Sequence, residues 1–257
     1  MSTINPPLSN LASLDHIKLA HDKVQMRTEI RQQRSLLSNK SQHKAAIELV
    51  SQLTNLVDVK SANTIALYLA NDGELDPSQF IKWCWQQGKR VVLPVLHPFT
   101  PGHLLFLQYT PSTLMLSNRF GIPEPRLDVR QVVPLSSIDI IFTPLVAFDN
   151  SGHRLGMGGG FYDRTLASLD RCPSKQSIQT AAPEAAITQA TVTKTTITQT
   201  KALDADTQLA SEGKTSRKNK LIGLAHDCQQ VPQIPIEPWD IPLPMIVTPN
   251  QIIRAKC

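Results

Sequence analysis

Apolar residues recur at near-heptad spacing early in the chain, at Ile17, Val24, Ile30 and Leu37. This period predicts an amphipathic helix over 15–37. On the same stretch Lys23, Arg27, Arg31 and Arg34 stand at i, i+4, i+8 and i+11 and make one basic stripe. A second helix is predicted over 41–56, with Ser41 as its cap and Lys44 where a full capping box has Glu. The pattern then changes to short β-branched and apolar runs, and strands are predicted over 64–69, 90–96, 104–109, 138–143, 221–225 and 245–248. Between the first two, Asp76-Pro77-Ser78 starts a helix that Gly88 stops.

Strands alternating with helices predict an α/β protein with a mostly parallel sheet. The expected architecture is a single three-layer domain, Rossmann-like, over 15–257, beginning with the basic helix. Residues 1–14 are expected as a disordered lead-in. Residues 172–219 contain Thr-Val-Thr-Lys-Thr-Thr-Ile-Thr-Gln-Thr-Lys, and no aromatic residue falls between Tyr162 and Trp239. Such a segment buries too little apolar surface to offset its ordering entropy, so a low-complexity insertion is expected there. A strand over 192–197 is the less favoured alternative.

Composition narrows the function. No run reaches the roughly 18 to 20 apolar residues of a membrane span. The first 14 residues lack a basic-then-apolar signal pattern, which leads us to expect a cytoplasmic protein. Cys84, Cys172, Cys228 and Cys257 form no Cys-x-x-Cys pair, so neither a zinc site nor a disulfide framework is expected. The formal charge is +5, and 18–44 alone has seven Lys/Arg against Asp22 and Glu29. Aromatic residues make up 5% of the chain and none interleaves with that segment. Stacking on bases is therefore not expected, and a small polyanion fits at least as well as nucleic acid.

The densest chemistry lies at 152–164, Gly-His-Arg-Leu-Gly-Met-Gly-Gly-Gly-Phe-Tyr-Asp-Arg, which holds five of the chain's eleven glycines. It follows an apolar run and precedes a predicted helix over 163–169, the order of a phosphate-binding loop. A dinucleotide fingerprint would need glycine at 161, and a P-loop would need Gly-Lys-Ser/Thr from the same position; Phe161 stands there. What is left is a nest of backbone N–H groups between Arg154 and Arg164. Arg154 suits a phosphate fork, and Asp163 supplies the hard oxygen that Mg²⁺ prefers. The same residues could equally form a flexible glycine turn with Asp163 as a helix N-cap. His226-Asp227-Cys228 suggests a nucleophile, but adjacent strand residues point to opposite faces, which disfavours a Cys–His dyad.

The run Phe148-Asp149-x-x-Gly152-x-Arg154-Leu155-Gly156-x-Gly158-x-Gly160-Phe161-Tyr162-Asp163 resembles the signature of the 5-formyltetrahydrofolate cyclo-ligase family. Five further segments are similar to that family. They are Arg27-x-x-x-Arg31-x-x-Arg34-x-x-Leu37-Ser38, Leu69-x-x-x-x-Glu74-Leu75-Asp76, Phe120-Gly121-Ile122-Pro123-Glu124-Pro125, Ala225-His226-Asp227-Cys228-Gln229 and Trp239-Asp240-Ile241-Pro242-Leu243-Pro244. The resemblance implies ATP-dependent cyclisation of 5-formyltetrahydrofolate to 5,10-methenyltetrahydrofolate, with release of ADP and phosphate through a phosphorylated formyl group. It implies ATP contacts from Lys23, Arg27, Arg154, Leu155, Gly156, Met157, Gly158, Gly159, Gly160, Phe161 and Tyr162. Arg154 and Tyr162 are the implied catalytic residues. Folate contacts are implied at Leu69, Glu74, Phe120, Ile122, Gly160 and Phe161, and Mg²⁺ ligation at Asp163 and Asp240. Arg31 and Arg34 are expected to steer anions through their field alone. A monomer is expected, with no nucleic-acid or membrane partner. The chain departs from the family at Gly159, where some members carry lysine, and at Phe161, where Tyr is more common. Two alternatives stay open: another ATP- or sugar-phosphate-handling enzyme, which would not need Glu74, and a catalytically silent nucleotide-binding module.

Overall fold

The computed structural model describes residues 8–167, 219–237 and 239–255, with side chains from residue 17 onward. The insertion expected over 172–219 lies outside the described residues except at its last position, and so does the alternative strand over 192–197.

Helix α1 runs Leu8–Ser35 and starts earlier than the apolar period predicts, so residues 8–14 of the expected disordered lead-in are helical, and 1–7 lie outside the described residues. Pro6-Pro7 directly precede it, and leucine and alanine at 8, 11 and 12 are good helix formers. Helix α2 is Asn39–Thr54. Its cap is Ser38 and not Ser41: Ser38 has extended backbone, and its hydroxyl accepts the Ser41 N–H at 3.2 Å. A short α3, Val57–Ser61, leads into strand β1, Thr64–Ala66. Helix α4, Ser78–Gln86, starts where Asp76 accepts both the N–H and the hydroxyl of Ser78 at 2.8 Å. Strands β2, Arg90–Leu96, and β3, Leu104–Tyr109, match the predicted runs. Two small hairpins were not foreseen: β4, Met115–Ser117, with β5, Pro123–Pro125, and β7, Ala147–Phe148, with β8, Arg154–Leu155. Between them lies β6, Ile140–Pro144. Helix α5 is Phe161–Leu166, and β9, Lys220–Leu224, β10, Met245–Val247, and β11, Ile252–Arg254, complete the chain.

The central sheet has seven strands in the order β11-β10-β9-β6-β1-β2-β3. β2, β1, β6, β9 and β10 run parallel, and β3 and β11 are antiparallel at the two edges. Successive strand residues face opposite sides, and the two cores divide on that rule. Ile65, Leu67, Val91, Leu93, Ile140, Phe142, Ile222 and Val247 pack with Leu49 and Leu53 of α2 and Phe80 and Cys84 of α4. Ala66, Val92, Ile141, Leu221 and Ile246 face the other way and pack with Phe106, Leu145 and Leu166. Each such apolar side chain contributes about 1.5–3 kcal/mol through burial. A third cluster joins Ile30 of α1 to Val146, Ala147 and Leu155 of the β7–β8 hairpin and to Ile234. It fixes the basic helix beside the glycine loop. Among the described residues, no helix is long and apolar enough to cross a membrane.

Candidate active site

Neighbouring parallel strands β1 and β6 mark the place where the strand order reverses, since the chain proceeds from β1 toward β2 and from β6 toward β9. In open α/β sheets the crevice beyond the carboxyl ends of such strands takes the ligand. The loop after β1 carries Leu69 to Asp76. The chain after β6 carries the β7–β8 hairpin and the glycine run.

A carboxylate shapes the hairpin. Asp149, 3% exposed, accepts N–H groups of Ser151 at 2.9 Å and His153 at 3.1 Å, and its second oxygen accepts the Ile234 N–H at 3.0 Å. Gly152 makes the tight turn at φ +82°, where a Cβ would lie 2.2 Å from the Leu243 carbonyl oxygen. Arg154 then emerges buried, donating from Nη1 to the Ile241 carbonyl at 3.0 Å and from Nη2 to Asp163 Oδ1. Burial pulls its guanidinium pKa down, and Asp163, Tyr162 and Asp240 oppose that shift. Leu155 points into the third core cluster, and its carbonyl accepts the Val146 N–H at 2.7 Å. Gly158 and Gly160 turn the chain with φ of +96° and +62°. Gly160 is the cap residue of α5 and Asp163 sits inside the first turn, so Asp163 is an ion-pair partner of Arg154 and not the N-cap.

The basic stripe of α1 is shared among three segments: the loop before β10, the glycine loop and the loop after β1. Lys23 Nζ donates to Asp240 Oδ2 at 2.9 Å, and that oxygen also accepts the Glu237 N–H at 2.9 Å. Arg27 Nε donates to the Gly156 carbonyl at 2.8 Å, and its guanidinium would lie 3.7 Å from a Cβ on Gly158. Further along, Arg31 Nε and Arg34 Nη2 both donate to Asp72 Oδ2 at 2.8 Å. Arg34 is fully buried, which is at odds with a purely field-steering role on a solvated face.

Glu74 is half-buried and accepts the Asn71 N–H at 3.1 Å. Burial pushes its carboxyl up to about 7, with the Asn71 N–H and the Arg34 charge opposing the shift and Asp72 adding to it. The Tyr162 hydroxyl is buried with no partner among the described residues, and burial holds it protonated. Leu69 is half-buried against the core. Phe120, 54% exposed, meets Phe161 edge-on at 6.0 Å between centroids, so residues 41 apart in sequence share one wall. The Ile122 N–H is held by Asn118 Oδ1 at 3.1 Å. Met157 is exposed.

Two features are not legible as such in the sequence analysis. Asp72 anchors two arginines; Asp72-Gly73 is a turn dipeptide, and that signal was there to be read. Arg164 bridges Gly102 O, at 3.0 Å, and Gly159 O, joining loops with no sequence relation. His226-Asp227-Cys228, expected on a strand, lies past the end of β9: His226 is buried before a 3₁₀ turn, Asp227–Gln229, and burial raises the Cys228 thiol pKa. Neither residue is placed as a nucleophilic dyad.

Fold and site together define an α/β protein in which the segments after the two switch-point strands present a cation-contacted glycine loop and an acid, Glu74. The profile of the 5-formyltetrahydrofolate cyclo-ligase family matches residues 20–197 and 204–249. The chain is 42% identical over 219 residues to the Haemophilus influenzae 5-formyltetrahydrofolate cyclo-ligase, covering 85% of this chain and 93% of that protein. It is 40% identical over 223 residues to the Escherichia coli K12 5-formyltetrahydrofolate cyclo-ligase, covering 87% and 98%. The solved Aquifex aeolicus 5,10-methenyltetrahydrofolate synthetase shares the fold, with a TM-score of 0.64, 23% identity and coverage of 91% and 93%. The chain belongs to the 5-formyltetrahydrofolate cyclo-ligase family, a family of ligases.

Proposed function

We propose that this enzyme cyclises 5-formyltetrahydrofolate to 5,10-methenyltetrahydrofolate at the expense of ATP. The observation that supports this reading best is the division of α1: Lys23 holds Asp240 of the loop before β10, Arg27 holds the glycine loop, and Arg34 holds the loop of Glu74. One helix thus links the loops proposed to hold a polyanion to the loop of the acid.

The chemistry needs both. A formamide oxygen is a poor leaving group. When it attacks the γ-phosphorus of ATP, ADP departs and the oxygen becomes part of an imidate phosphate. N10 then adds to the formyl carbon and loses its proton, and phosphate leaves with the former formyl oxygen. Positioning and charge stabilisation contribute most to such a transfer. Lys23, Arg27 and Arg154 supply positive charge, and the backbone at 156–160 can approach phosphate closely because glycine leaves no Cβ in the way. The Tyr162 hydroxyl, kept protonated by burial, is a donor toward the transferring oxygen. Glu74 accepts the amino and ring N–H groups of the pterin in two parallel hydrogen bonds.

The donor set also fits Mg²⁺. Asp163 and Asp240 each have one oxygen engaged by a cation, and no group of three or more His, Cys, Asp or Glu forms a closed cage among the described residues. One or two carboxylates completed by phosphate oxygens and water is the usual Mg²⁺ arrangement. When bound, the ion would neutralise phosphate charge. Incubating the protein with 5-formyltetrahydrofolate, Mg²⁺ and ATP should produce the absorbance of the methenyl product. Failure to form it, or formation without ATP, would refute the reading.

A further inference from the structure

A fully buried guanidinium is costly unless its donors are matched, and an apolar residue of similar size is often more stabilising. Arg34, in the last turn of α1, has no solvent exposure. Nη2 donates to Asp72 Oδ2 at 2.8 Å, an oxygen that Arg31 also uses. Nε and Nη1 find no acceptor among the described residues. The positive charge is therefore only partly spent on Asp72. Gly73 lies directly on the side chain, where a Cβ would be 3.7 Å from Arg34 Cγ and 3.8 Å from Nε. The next residue is Glu74.

We propose that Arg34 is a positioning residue for Glu74: it ties residues 72–74 to α1 and sets a permanent positive charge behind the carboxylate that receives the substrate ring. This inference rests on the folate reading above. Burial, the Asn71 N–H, Arg34 and Asp72 set the balance at the Glu74 carboxyl, and three further titratable groups face it. Arg34 comes from α1, Asp72 and the Asn71 N–H from its own loop, Tyr68 from the segment after β1, Tyr162 from α5, and His226 from the turn after β9. Among these, Arg34 is the group whose charge favours the ionised carboxylate, which is the form able to accept two N–H donors. Tyr68 is held apart from the carboxylate, since its hydroxyl donates to the Leu75 carbonyl at 2.8 Å.

The test is a pH profile of KM for 5-formyltetrahydrofolate and for ATP in wild type, Arg34→Met, Arg34→Lys and Asp72→Asn. Removing the charge should move the pKa seen in the folate profile upward by about 1 unit. At pH 7 the folate KM should rise about 5- to 10-fold, with the ATP KM within about twofold of wild type. Arg34→Lys should restore the profile. Asp72→Asn should raise the folate KM without an upward move of that pKa, because the tether is weakened while the charge stays. If Arg34→Met does not fold, Arg34→Gln keeps a donor without the charge and carries the same test. An unshifted profile in the neutral variant, or an equal rise in both KM values, would overturn the role of Arg34. A wild-type enzyme making no methenyl product would instead remove the folate reading itself.

Discussion

Lys23 Nζ and Asp240 Oδ2 stand 2.9 Å apart across 217 positions of sequence, tying the first helix to the loop before β10. Their side chains are 12% and 25% exposed, so desolvation offsets much of the attraction, and Asp240 keeps the Glu237 N–H and some water when Lys23 is lost. Its value lies in placement. Lys23→Met should lower the melting temperature by only a few degrees, about the effect of 1 kcal/mol. The ATP KM should rise about tenfold or more, the loss of a charge-assisted contact. Calorimetry and initial-rate kinetics on the same preparation separate the two effects, and an unchanged ATP KM would remove Lys23 from the site.

Asp163 joins Arg154 to the proposed Mg²⁺ position. Asp163→Ala should abolish Mg²⁺-dependent turnover while the far-ultraviolet circular dichroism stays that of the folded protein. Asp163→Asn keeps a hydrogen-bond acceptor for Arg154 but has a weaker metal-binding oxygen. It should need about tenfold more Mg²⁺ for half-maximal rate, since a neutral amide is a poorer ligand than a carboxylate for this ion. Wild-type turnover in both variants, followed through a Mg²⁺ titration, would exclude the metal role.

Burial raises Glu74 from 4.5 to about 7, so between those values the folded protein holds a proton that the unfolded chain has released. Its contribution to stability therefore falls as pH rises through that window and levels off above about 7. Folate binding should run the other way and tighten as the carboxylate ionises. Glu74→Gln should flatten both dependences and weaken folate binding about tenfold or more, through loss of a charged acceptor. Thermal melts and folate titrations from pH 5 to pH 8.5 check this, and a variant that keeps the wild-type slopes would show that another group titrates.

Two glycines of the loop should respond differently to alanine. At Gly152 a Cβ would meet the Leu243 carbonyl oxygen at 2.2 Å and Ala255 Cβ at 2.7 Å, and φ is +82°. Gly152→Ala should cost about 2 kcal/mol or more of stability, from strain and overpacking together. At Gly156 nothing lies within 4 Å of the Cβ position. Gly156→Ala should melt close to wild type yet raise the ATP KM, because the open space is where phosphate would approach. Equal melting temperatures for the two variants would contradict this division.

Much of this molecule was legible in the chain itself. The short apolar runs Ile65-Ala66-Leu67, Val91-Val92-Leu93 and Ile140-Ile141-Phe142 determined the strands, and the pleat sends their successive side chains to opposite cores. Glycine density determined where the backbone could come close to a ligand, and the spacing of Lys23, Arg27, Arg31 and Arg34 determined that they share a helix face. These are local properties, set by rise and rotation per residue. Only the tertiary structure decided what that face does: Lys23 and Arg27 meet Asp240 and Gly156, while Arg34 is buried against Asp72 and Gly73. The antiparallel edges, the Phe120–Phe161 contact and the Arg164 bridge likewise depend on which distant segments pack together. Burial against those segments also turned Glu74 from an ordinary acid into one poised near neutrality. Desolvation comes from neighbours remote in sequence, and no local pattern encodes it.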